Sequence, residues 1–174
     1  IDELFKRGFL SSRLSSIFNE KFLITDLKTL ANKMDVPAEA KKFQYILGKD
    51  YGRFKQLMNV VLEASDTASG DFGVLMLRSA EAGGVRGIAG QLAGMTAGAG
   101  AAALFIPQIF AKAVTNPSYV NRLIALAKKD FGGVEAASVA SQLLVADIFY
   151  SMTDAEKNEM MAYLSDVATQ QMGQ

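Results

Sequence analysis

Between Arg86 and Lys112 the chain carries 25 consecutive residues without a charge, GIAGQLAGMTAGAGAAALFIPQIFA, most of them Gly and Ala. As a helix the run would be roughly 37 Å long at 1.5 Å per residue, the thickness of a bilayer. Its glycines recur at short intervals, Gly87, Gly90, Gly94 and Gly98, with Gly83 four residues ahead of Gly87. On a helix that spacing clears one face of side chains, so a second backbone can approach closely. In water each interior glycine costs about 1 kcal/mol against alanine. A chain that keeps so many gains tight packing, membrane contact or flexibility in return, and the residues alone do not choose among the three.

The rest of the composition points to helices. Half of the 174 residues are hydrophobic, yet only 9% are aromatic, Trp is absent and eight are Met. There are three prolines and no Asn-Gly or Asp-Gly hairpin signal. The expected fold is all-α, an irregular bundle of about eight helices with one close-packing Gly/Ala segment. Residues 1–64 form a basic helical part, 65–71 a loop, 72–114 the Gly/Ala-rich apolar segment and 115–174 the C-terminal helices. The chain begins at Ile1, as expected of a processed chain or a piece of a longer one. No charged stretch followed by an apolar core opens it, so no signal peptide is expected.

Local signals place the boundaries. Thr25 or Asp26 is the expected cap of a helix with Leu27, Leu30, Ala31 and Met34 on one side. Pro37 opens the next, which Gly48 and Gly52 interrupt, with Asp50 a plausible new cap. Pro107 should kink or end any helix that reaches it. Thr115-Asn116-Pro117 reads as a helix start, with Val120, Leu123, Ile124 and Ala127 as its buried stripe. Residues 134–150 carry only Glu135 and Asp147 as charges and read as a largely buried helix. Thr153 with Glu156 spells a capping box, and the helix after it should bury Met160, Met161, Leu164, Val167 and Ala168.

The sequence contains no His and no Cys. That removes disulfides, the usual zinc, copper and haem ligands, and nucleophiles that depend on a His or Cys partner. Asp154, Glu156 and Glu159 fall in the first turns of a helix, where negative charge is stabilising in any case, and they suggest no acid–base pair. Gly84, Gly87 and Gly90 match GxxGxxG, and Gly98 through Ala103 match GxGxxA. A dinucleotide site needs a strand before the glycines and a βαβ unit around them, and neither is predicted. No cofactor, no metal and no catalytic residue is expected. Net charge is zero, but residues 1–62 hold eleven Lys and Arg against seven Asp and Glu. That basic third could lie against phosphate, as non-specific DNA contact or at lipid headgroups.

Within the uncharged run, Leu104, Phe105, Ile106, Ile109 and Phe110 form the strongly apolar cluster, the expected site of membrane or other apolar contact. Gly87, Gly90, Gly94 and Gly98 are the expected helix-packing and oligomerisation residues. From Gly90 to Lys129 the chain resembles the C-terminal parts of large internal virion proteins of short-tailed bacteriophages, the DNA ejection proteins. The giant virion RNA polymerases carry a comparable tail region. The shared feature is a Gly/Ala-rich apolar segment followed by Lys112-Ala-Val-Thr-Asn-Pro117 and an amphipathic helix with a basic end at Lys129. The resemblance implies a structural fragment of a longer virion protein, stored in the virion interior and passed to the host cell envelope with the genome. It implies homo-oligomers, other virion proteins such as portal or ejection proteins as partners, and contact with the host membrane. Some such proteins carry a lytic transglycosylase, whose catalytic glutamate motif does not occur here; any enzyme would lie elsewhere in the parent chain. The alternative from the residues alone is a soluble helical scaffold or adaptor domain with no membrane role.

Overall fold

The computed structural model describes residues 2–16, 24–67, 70–75 and 101–172. Eight α-helices are described from end to end, and the described residues hold no strand: α1 (Glu3–Ser15), α2 (Ile24–Asp35), α3 (Pro37–Leu47), α4 (Tyr51–Thr67), α5 (Pro107–Val114), α6 (Pro117–Lys128), α7 (Val134–Ser151) and α8 (Asp154–Met172). The all-α reading holds.

The sharpest local signals are realised as atoms. Asn116 caps α6 by accepting from the Ser118 N–H at 2.9 Å, with Pro117 at the first helical position. At α8 the box is reciprocal. Glu156 N donates to Thr153 Oγ1 at 3.2 Å, and Thr153 N donates to Glu156 Oε2 at 2.7 Å. Gly48 ends α3 at φ +54°, ψ −122°, a region that a Cβ disfavours, and opens a 3₁₀ turn over Gly48–Asp50.

Other boundaries differ from the sequence reading. α2 already runs from Ile24, ahead of Thr25 and Asp26. Gly52 does not interrupt α4 but lies in its first turn. Asp50 is buried in an ion pair. The loop expected over 65–71 is shorter, because α4 continues to Thr67 and residues 71–75 are helical again. Asp71 is tied to a distant loop instead: its Oδ2 accepts from Phe131 N at 3.0 Å and Gly133 N at 2.9 Å.

A line of phenylalanine rings marks the core. Phe9 meets Phe43 edge-on at 6.1 Å, and Phe43 stacks on Phe54 at 5.9 Å. Phe54 reaches Phe110 at 6.0 Å, and Phe110 lies 5.5 Å from Phe105. These contacts join α1, α3, α4, α5 and the 3₁₀ turn Ala101–Phe105 in one apolar cluster. At its centre is α5, every residue of which is buried. α1, α6, α7, α8 and the 3₁₀ turn all pack on it, α1 most extensively.

The segment expected to offer apolar contact is therefore interior. Leu104, Phe105, Ile106, Ile109 and Phe110 are buried among the chain's own side chains, and in this packing none is presented to lipid. Pro107 explains why the run does not form one rod. It breaks the 3₁₀ turn from α5 and starts an eight-residue helix at its own N1 position. Among the described residues, no helix is long and apolar enough to cross a membrane. Gly87, Gly90, Gly94 and Gly98 lie outside the described residues, as do the GxxGxxG match and the first glycines of the GxGxxA match.

Candidate functional site

α1 meets the rest of the protein through an inverted face. Its apolar Leu4 and Phe5 point to solvent, while Lys6 and Arg7 turn inward. Two buried leucines further on, Leu10 and Leu14, anchor the helix and fix that orientation. The inward cations meet carboxylates from other elements. Lys6 Nζ lies 3.5 Å from Asp50, and Arg13 pairs with Glu39 of α3.

Arg7 is shared among three partners. Its Nε donates to Thr115 Oγ1 at 3.1 Å, Nη1 to Glu156 Oε1 at 3.2 Å and Nη2 to Glu3 at 3.1 Å. Lys112, buried on α5, donates to the other Glu156 oxygen at 3.2 Å. One carboxylate thus caps α8 and neutralises two cations from two other helices. Burial raises the Glu156 pKa. The Thr153 N–H, the Lys112 hydrogen bond and the charges of Lys112 and Arg7 together outweigh it, and the net shift is downward from 4.5. Beside it, Ser11 Oγ donates to Glu159 Oε1 at 2.7 Å.

Of these groups, Arg7, Ser11, Thr153, Glu156 and Glu159 line a cavity of about 270 Å³ between α1, α5 and α8, with walls from Leu4, Gly8, Gln108, Ala111 and Ala155 as well. Gln108 is 6% exposed and its Oε1 meets no donor. The cavity therefore combines an apolar wall with a paired ion cluster, and the Gln108 oxygen, itself buried, is not exposed in it. No imidazole or thiol stands by to make Ser11 a nucleophile, since the chain has none. Among the described residues, no group of three acidic, His or Cys side chains is placed to hold a metal.

A second feature lies on α7. Its inner side buries Ala137, Ser141, Leu144, Val145 and Ile148. Its outer side presents Val139, Leu143 and Tyr150, which are 54%, 64% and 68% exposed. The paucity of charge in 134–150 led to the expectation of a largely buried helix, but only one side is covered. Leu143 also borders a cleft of about 280 Å³ with Ala125, Leu126 and Phe131, rimmed by Arg122 and Lys129.

The basic third is less available than its charge suggests. Lys6, Arg7, Arg13, Lys42, Arg53 and Lys55 are all paired with carboxylates. The hub at Arg7, Lys112 and Glu156 escaped the sequence reading because its members are far apart in the chain. The available hint was Lys112, a cation set directly against a strongly apolar run.

Comparison with known protein families, with curated proteins and with solved structures finds no match.

Proposed function

We propose that this chain is an all-α assembly module of a phage DNA ejection apparatus, working by contact with other proteins and the host envelope and not by catalysis. The observation that carries the reading is the outer side of α7, where Val139, Leu143 and Tyr150 stand exposed on a helix whose inner side already completes the core. Apolar side chains in such a row leave water at about 25 cal/mol per Å² when another surface covers them. The resemblance over residues 90–129 supplies the biological setting. In it, Gly87, Gly90, Gly94 and Gly98 provide close helix packing between copies.

Envelope contact through Leu104, Phe105, Ile106, Ile109 and Phe110 requires these residues to leave the core, so the membrane step is a repacking triggered on delivery. Flotation with liposomes, with mass by light scattering on the same sample, tests the proposal. A discrete oligomer that floats is expected. A monomer that stays at the bottom of the gradient would sink it. Replacing Gly94 or Gly98 by Leu is expected to abolish the oligomer while helix content by circular dichroism stays constant.

The burial of Leu104–Phe110 favours a second reading, a helical scaffold or adaptor in which this segment is an internal seam. That reading expects a monomer indifferent to lipid.

A further inference from the structure

We propose that the outer side of α7 pairs with the same side of a second copy of this chain, the two helices running antiparallel about a two-fold axis between residues 143 and 146. The inference rests on the reading of α7 as the assembly surface, and not on the phage setting.

The spacing of the exposed residues carries it. Ala136, Val139, Leu143, Ala146 and Tyr150 follow one another at alternating steps of three and four. Such a series stays within one narrow stripe of a helix, and it is the repeat by which two helices seat side by side along a seam. Ala136, Val139, Leu143 and Tyr150 are exposed, and Ala146 is half-buried. The opposite side, with Ala137, Ser141, Leu144, Val145 and Ile148, is taken up by the core. The stripe is therefore free to meet another helix of the same repeat.

Its residues also select the partner and the direction. In the antiparallel pair Tyr150 of one copy faces Val139 of the other, and Leu143 faces Ala146. Each layer sets a bulky side chain against a smaller one, and the two-fold axis repeats both layers. A parallel pair would set Tyr150 on Tyr150 and Ala146 on Ala146, a crowded layer beside an empty one. Charge agrees with self-pairing. Residues 134–151 carry only Glu135 and Asp147 as charges, and Asp147 is already paired with Arg122. The stripe itself is uncharged and asks for neither an acidic nor a basic partner. In the antiparallel register Asp147 comes beside Ala140 of the other copy, and the two helix dipoles oppose.

The area sets the strength. Val139, Leu143 and Tyr150 are 54%, 64% and 68% exposed. Side chains of about 200 Å² each, covered to that extent, bury about 350 Å² per copy and about 700 Å² in the pair. A standard interface buries about 1,600 Å², so a weak dimer is expected, with a dissociation constant of about 100 μM.

The chain has no cysteine, so single thiols report the register. Val139→Cys and Tyr150→Cys, both at exposed positions, are oxidised mildly with copper–phenanthroline at several hundred micromolar, each alone and then mixed. In the proposed pair position 139 lies beside position 150 of the other copy. The two copies of either position are 11 residues apart along the axis, about 16 Å, far beyond the reach of a disulfide. The layer of Val139 on Tyr150 at the other end of the mixed pair stays intact. The mixture is expected to cross-link at least tenfold faster than either variant alone. Equal rates alone and mixed would overturn the proposal. An unlinked mixture with a parent that is oligomeric by light scattering would overturn it too, but would leave the assembly reading standing, with the copies meeting elsewhere. An unlinked mixture with a parent at 18.7 kDa throughout would sink both and give the stripe to a different protein.

Discussion

At the scale of single residues, glycine has opposite meanings at two described positions. Gly8 lies in the middle of α1, and a Cβ built there meets nothing within 4 Å. Gly8→Ala should therefore raise unfolding free energy by about 0.5–1 kcal/mol in urea titrations, through lower backbone entropy in the unfolded chain. Gly48 has equal space, but its φ is +54°. Gly48→Ala should lose about 1 kcal/mol in the same experiment, because the backbone and not the space forbids a side chain. Glu156 is the residue where most interactions converge. Glu156→Gln removes the charge that answers Lys112 and Arg7 and leaves two largely buried cations short of a partner. A loss of about 2–4 kcal/mol is expected. The pH dependence has a definite sign. The folded carboxyl titrates below its ordinary value of 4.5, so its contribution is present above that pH and is lost as pH falls through the folded pKa. The melting temperature should drop in acid from about pH 4.5 downward in the parent, with a shallower drop in Glu156→Gln.

At the scale of elements, legibility follows range along the chain. The Asn116-Pro117 start and the Thr153–Glu156 box were legible because every atom involved lies within four residues. The contact from Asp71 to the amides of Phe131 and Gly133 was not, since nothing local marks Asp71 as the acceptor for a loop 60 residues away. The helices themselves were readable from apolar spacing, with errors where spacing alone cannot tell inside from outside. Met160, Leu164 and Val167 are buried on α8 as expected, while Met161 is 42% exposed. The apolar strength of Leu104–Phe110 was equally plain, but apolarity states a need for burial without naming what covers it. Here α1 and α6 through α8 cover it. Phe110 joins Phe54 to Phe105 in the ring series. Phe110→Ala should cost about 3–5 kcal/mol, measured as a loss of denaturation midpoint with helix content preserved in the native state. A cost below about 1 kcal/mol would mean that α5 is not the centre of the core.

At the scale of the molecule, the described helices close a core around a short apolar helix and leave two surfaces that the core does not use. One is the cavity under α1, whose wall carries the Arg7–Glu156 ion pair and Glu159 beside apolar groups. The other is the outer side of α7. The second bears on the proposed role in assembly, and the candidate site was the part least visible in sequence. Its residues come from positions 4 to 159, and only folding brings them together. The direct test of the central claim is mass by light scattering over a range of concentration, for the parent chain and for Val139→Glu combined with Leu143→Glu. Both positions are exposed, so the double variant should fold with less than about 1 kcal/mol of loss. An oligomer is expected for the parent and a particle of 18.7 kDa for the variant at every concentration. A parent that remains at 18.7 kDa throughout, or a variant that assembles as the parent does, would contradict the claim.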